Sequence, residues 1–126
     1  MKARESALRA KRFEAQEKAR KVADLEYMIR EFEQMALDLE RQIQTEEERT
    51  GIKDPAHFAY STFAKSAAQR RDNLKASVVD LQVKLENAVR ERDEAQAELT
   101  RSQPGEPREA ERVVRKPERT AQAVMR

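Results

Sequence analysis

The sequence predicts an all-α fold: a long two-helix antiparallel coiled-coil hairpin with a disordered C-terminal tail. Three observations lead there. Apolar residues recur in alternating steps of three and four through two long stretches, a helical seam period that no strand can produce. One cluster of turn residues, around Gly51 and Pro55, separates the stretches. The composition also belongs to long helices, with 40 % charged, 38 % apolar and 5 % aromatic residues and only two glycines and four prolines. That leaves too few turn formers for a many-stranded sandwich or barrel. So few large apolar side chains cannot fill a thick core, which argues against a compact globular enzyme.

The first helix is expected at about 4–49. Its seam reads Val22, Leu25, Ile29, Phe32, Ala36, Leu39, Ile43, seven apolar residues at heptad a and d positions. Upstream the same register gives Leu8, Lys11, Ala15 and Lys18, so the stripe weakens toward the N-terminus. A turn at 50–54 follows. Gly51 suits the left-handed residue that ends a helix, and Ile52 can fold back on the last turn. Asp54 reads as an N-cap and Pro55 as the first residue of a second helix, expected at about 55–102. Its seam is Ala64, Ala67, Arg71, Leu74, Val78, Leu81, Leu85, Ala88, Arg92, Ala95 and Leu99. The helical domain thus spans 1–103. So short a connection favours antiparallel neighbours, each roughly 70 Å long at 1.5 Å per residue.

Charge supports that topology. Residues 1–21 hold eight basic and three acidic side chains, and 22–50 hold three and nine. Folding about residue 52 sets the basic segment against 86–98, which has two basic and five acidic residues. It sets the acidic one against 60–84, which has five and two. A parallel in-register homodimer would stack like on like. Each exposed pair contributes only ~0–1 kcal/mol, so the pattern matters more than any one pair. Arg71 and Arg92, the two charges in the second seam, are expected to snorkel to acidic neighbours across the hairpin.

The tail, 104–126, contains Pro104, Pro107 and Pro117 and six basic against four acidic side chains. It carries the whole net charge of +2 and reads as a disordered, solvated segment. The longest uncharged stretch, Pro55 to Ala64, is ten residues, against the ~20 a spanning helix needs. Lys2, Arg4, Arg9, Lys11 and Arg12 have no apolar run behind them, which argues against a secretory signal. With no cysteine there is no disulfide framework and no thiolate ligand or nucleophile.

No catalytic constellation is found. His57 is the only histidine, and a place in the first turn of the second helix explains it better than a triad does. Glu46, Glu47 and Glu48 are consecutive, so they radiate around a helix and do not converge on a metal. The two glycines are too far apart for a phosphate loop. No cofactor is implied and no enzyme is expected. Nucleic acid is disfavoured as well. Basic residues near Arg70, Arg71 and the N-terminus alternate with Glu5, Glu14 and Glu17, and no aromatics interleave to stack bases.

Partner binding remains, because each helix of a two-helix hairpin buries only one face. Lys11, Arg12 and Phe13 mark the N-terminal end, and Arg70 and Arg71 a polar patch. Met28 and Met35, one step off the seam, either broaden the core or form an adaptable apolar strip for another helix. Val79 and Val83 form a comparable strip. Tyr60 and Phe63 lock the turn against Leu39 and Ile43; the alternative is that Phe58 or Phe63 protrudes as a docking knob. Uncovered strips also leave homo-oligomerisation open.

One run carries a family resemblance: Gly51-Ile52-Lys53-Asp54-Pro55-Ala56-His57-Phe58-Ala59-Tyr60, continuing to Ala67-Ala68-Gln69-Arg70-Arg71-Asp72-Asn73-Leu74. With the opening Met1-Lys2-Ala3-Arg4-Glu5-Ser6 and Lys11-Arg12-Phe13, it resembles the FliJ flagellar export proteins of alphaproteobacteria over residues 1–100. The resemblance implies a cytoplasmic component of the flagellar type III export apparatus, an antiparallel coiled coil similar to the rotor stalk of rotary ATP synthases. It implies insertion into the hexameric export ATPase, stimulation of that enzyme, and a link to the export gate at the inner membrane and to export chaperones. Residues 1–21 and 86–103 would engage the ATPase ring and 52–74 the gate or a chaperone. The alternative is a generic coiled-coil scaffold or chaperone, unrelated to flagella, gripping one helical partner through Met28, Met35, Phe58 and Phe63.

Overall fold

The computed structural model describes residues 2–103. Two long helices pack against each other, α1 at Lys2–Thr50 and α2 at Thr62–Arg101, and no strand occurs among the described residues. The expected disordered tail, 104–126, lies outside them. The described residues divide into two units, one comprising 20–88 and the other 2–19 with 89–103.

In the 20–88 unit the predicted seam is the core. Val22, Leu25, Ile29, Ala36, Leu39 and Ile43 of α1 are buried, as are Ala64, Ala67, Val78, Leu81 and Ala88 of α2. Phe32, Arg71, Leu74 and Leu85 are half-buried at the remaining seam positions. Among the described residues no charged or polar one is buried. The tightest cluster joins Leu39 and Ile43 to Ala64 and Ala67, with Tyr60, Ala68 and Leu74 packed against it. Alanine on the α2 side leaves room for the larger α1 side chains to reach across. In the other unit Ala15 and Leu99 are buried, and Leu8, Lys11, Lys18, Arg92 and Ala95 are half-buried. The heptad register therefore persists where its apolar content thins.

α1 ends as expected. Gly51 has φ 77° and its N–H donates to the Glu47 carbonyl at 2.8 Å, the single 5→1 bond of the αL cap. The Thr50 hydroxyl accepts the Ile52 N–H at 3.2 Å.

α2 does not begin at Pro55. Residues 51–61 form the connection, which contains two consecutive tight turns, in which the His57 N–H donates to the Asp54 carbonyl and the Tyr60 N–H to the His57 carbonyl. Asp54 Oδ1 accepts the Ala56 N–H at 2.9 Å, so it caps an isolated turn. Side-chain acceptors here compete with the helix for backbone donors. The helix cap is Ser61, whose Oγ accepts the Ala64 N–H at 3.1 Å and whose carbonyl accepts the Lys65 N–H. The longer connection also moves the fold axis along the chain. A fold about residue 52 would set Lys11 against residue 94 and Glu40 against 65, whereas their partners are Glu98 and Arg71.

Substitutions at Gly51, Leu39 and Leu37 test this packing. A Cβ added at Gly51 would meet no atom within 4 Å, so Gly51→Ala is strained by its positive φ alone and should cost about 1 kcal/mol, with Gly51→Asn milder. Denaturant midpoints at constant slope measure it. Leu39→Ala, at a 5 % exposed position, should cost about 2–4 kcal/mol, while Leu37→Ala, at 45 % exposure, should stay within about 0.5 kcal/mol.

Candidate functional site

The connection between the helices is the most elaborately organised part of the described chain. Its base is held by two glutamates of the last α1 turns. The Tyr60 hydroxyl donates to Glu47 at 2.6 Å and the Ser61 hydroxyl to Glu46 at 2.7 Å. Arg49 donates to both Glu46 oxygens, at 3.0 and 2.6 Å, a bidentate pair. The Glu46 carboxyl is consequently pulled down from 4.5 to about 2, first by Arg49 and then by Ser61, and the Arg49 guanidinium is raised in turn. The Tyr60 phenol moves from 10.0 up to about 12 because ionising it would set its oxygen against the Glu47 carboxylate.

From this base His57 and Phe58 project. Phe58 is 96 % exposed, and its ring stacks on the His57 imidazole at 4.8 Å with a 21° interplanar angle. His57 Nδ1 accepts the Ala59 N–H at 2.9 Å, so the imidazole carries its proton on Nε2. His57 is thus a loop residue fixing the local backbone, not a residue of the first helical turn. Phe58 is the protruding knob.

The expected clamp is half right. Tyr60 packs on the Leu39–Ile43 cluster, but Phe63 is 53 % exposed. It faces Arg41, Gln42, Thr45 and Glu46 around an open cavity. The α2 positions against the core at this level are Ala64 and Ala67, one and four residues on, so Phe63 falls on the flank. Met28 and Met35, at 41 % and 47 % exposure, form an uncovered strip and do not broaden the core. Arg70 is exposed as well.

Arg71 turns the other way. Its guanidinium reaches Glu40 across the helices at 2.5 Å and Asp72 at 3.0 Å, and these acceptors raise its pKa, Glu40 first. Arg71 is therefore occupied within the unit. Arg92 corrects its expectation, since it pairs with Asp93 on its own helix. In the other unit Lys11 bonds Glu98 at 3.1 Å and Lys18 bonds Glu91 at 3.3 Å. Arg101 and Lys11 together lower the Glu98 pKa. Arg12 is exposed, and Phe13 beside it is 63 % exposed.

Sequence reasoning overlooked Leu37, which lines a groove of about 350 Å³ with Glu33, Ala36, Glu40, Lys75 and Val78. It also weighed Glu46 and Glu47 only as metal ligands, and set them aside. Continuing the seam three residues past Ile43 would have marked Glu46 as inward-facing. Among the described residues no three histidine or carboxylate side chains converge to hold a metal, and no helix is long and apolar enough to cross a membrane. What the arrangement offers chemically is contact: fixed apolar side chains set among charges.

No family model matches the chain, and neither a curated protein nor a solved structure matches it.

The pKa shifts predict how the connection responds to pH. Glu46, depressed when folded, contributes stability that is fully present above pH 4.5 and is lost as pH falls through about 2. Tyr60, raised when folded, contributes below pH 10.0 and loses that contribution as pH rises through about 12. Denaturation curves of Glu46→Gln and Tyr60→Phe should accordingly flatten the acid and alkaline limbs, respectively.

Proposed function

We propose that this chain is a FliJ-type stalk of the flagellar type III export apparatus, a non-enzymatic helical hairpin that binds and stimulates the export ATPase hexamer. In this reading it works in the cytoplasm, at the cytoplasmic face of the inner membrane, coupling the ATPase to the export gate and to export chaperones. The observation that carries the reading is where the resembling segment lies. Gly51 to Tyr60 is the connection between the helices, it is tied by its own hydrogen bonds, and it holds Phe58 almost wholly in solvent. A preorganised aromatic loses little freedom on binding, which is how a single side chain becomes an anchor.

The roles divide by position. Residues 1–21 and 86–103 contact the ATPase ring, and because Lys11 is already paired with Glu98, Arg12 and Phe13 carry that contact. Residues 52–74 contact the gate or a chaperone through Phe58. The second reading, a scaffold gripping one helical partner, draws on the uncovered strip of Met28, Met35 and Phe63. A gene locus among flagellar genes favours the first reading over the second.

Arg12→Glu combined with Phe13→Ser should raise the half-saturating concentration for stimulation of the purified export ATPase roughly tenfold, the effect of losing one good contact of about 1.4 kcal/mol. Phe58→Ser should leave stimulation intact and weaken capture of the gate protein or chaperone. Unchanged stimulation by the first variant contradicts the assignment of that end.

A further inference from the structure

One flank of the 20–88 unit carries a pattern that the stalk reading does not use. Phe63 lies by Gln42 and Thr45, so the Phe63 side of α2 adjoins the Gln42 and Thr45 side of α1. In the heptad register Met28, Met35 and Gln42 share one position on that side, and Asp24, Glu31, Asp38 and Thr45 share the next one outward. On α2 the position of Phe63 recurs at Arg70, Ser77 and Lys84. The flank therefore has an apolar centre of Met28, Met35 and Phe63, each 41–53 % exposed. Its α1 edge is acidic; on α2 the basic residues Arg70 and Lys84 stand at the Phe63 position itself, with Ser66, Asn73, Asp80 and Asn87 at the next position outward. Arg70 and Lys84 are exposed, and among the described residues neither forms an ion pair. Among the described residues, Asp38 is held by exposed contacts with Arg41 at 3.6 Å and Gln34 at 3.0 Å.

We propose that this flank is a self-association surface whose occupant is a second copy of this chain. A two-fold axis running along the helices lays α1 of each copy over α2 of the other, which sets the acidic edge on Arg70 and Lys84 twice. The spacing fits. Asp24 and Asp38 are fourteen residues apart, as are Arg70 and Lys84, so one alignment joins Asp38 to Arg70 and Asp24 to Lys84 of the second copy together. An unrelated helix with a single charged edge answers only one side of this surface. The methionines suit the centre, because unbranched thioethers adapt to an imperfect groove. The strip is roughly 27 Å long at 1.5 Å per residue and about 20 Å wide across two helices. That footprint is at the small end for stable complexes, which suits a weak, concentration-dependent association. The inference rests on this unit alone and stands whether or not the stalk reading does.

The test is sedimentation equilibrium on the full-length chain, with circular dichroism as the folding control. The parent should show concentration-dependent dimers. Arg70→Glu with Lys84→Glu makes both sides acidic, and Asp24→Lys with Asp38→Lys makes both basic, so each variant should be helical and monomeric. Mixed in equal amounts they should recover a dimer, since each supplies the charges that the other needs. A parent that stays monomeric to its solubility limit overturns the proposal. So do variants that dimerise alone as the parent does, or a mixture that stays monomeric.

Discussion

Each helix here has a single partner to pack against, and the rest of the structure follows from that constraint. A helix in a larger domain can bury apolar side chains on several faces, whereas these two can bury only the stripe that they share. The stripe is consequently filled with Leu, Ile, Val and Ala, and among the described residues no polar side chain is fully buried. Arg71, which the heptad places in the seam, is tolerated because its stem lies along the interface while its guanidinium escapes sideways to Glu40 and Asp72. Large apolar residues off the stripe have little to cover them, and Phe13, Met28, Met35, Leu37, Phe58 and Phe63 lie on the surface. Their positions are the chain's candidates for contact with other molecules.

The connection at 51–61 is held by different means. It has almost no core to pack on, and instead satisfies its own backbone with Asp54, His57 and Ser61. Glu46 and Glu47 tie it down from α1. Local hydrogen bonds of this kind define a backbone path without covering it. That is why Phe58 can be fixed and exposed at the same time.

The helices and their seams are legible because period is a property of sequence spacing, and every residue that the spacing puts in a seam is buried or half-buried. The start of α2 is not legible in the same way. Asp54-Pro55 is equally good chemistry for an isolated turn and for a helix start, and Ser61, the actual cap, gives a weaker signal in the middle of an uncharged run. Phe63 escapes its expected place because residue type alone suggests a clamp, whereas the register puts Ala64 and Ala67 against the core. Glu46 is hidden because three consecutive carboxylates radiate around a helix and none stands out by type, although one of them continues the seam. The exposed side chains are identifiable as off-seam, but which flank each occupies depends on the antiparallel pairing and its offset.

The proposed stalk function combines that contact surface with a resemblance concentrated at the connection. Its most direct test is to draw tagged full-length chain from the extract of a flagellated alphaproteobacterium and assay ATPase activity in the bound fraction, with and without added chain. The account predicts recovery of the flagellar export ATPase, with turnover that rises as chain is added. Recovery of a different helical partner, with no ATPase in the fraction, would contradict it.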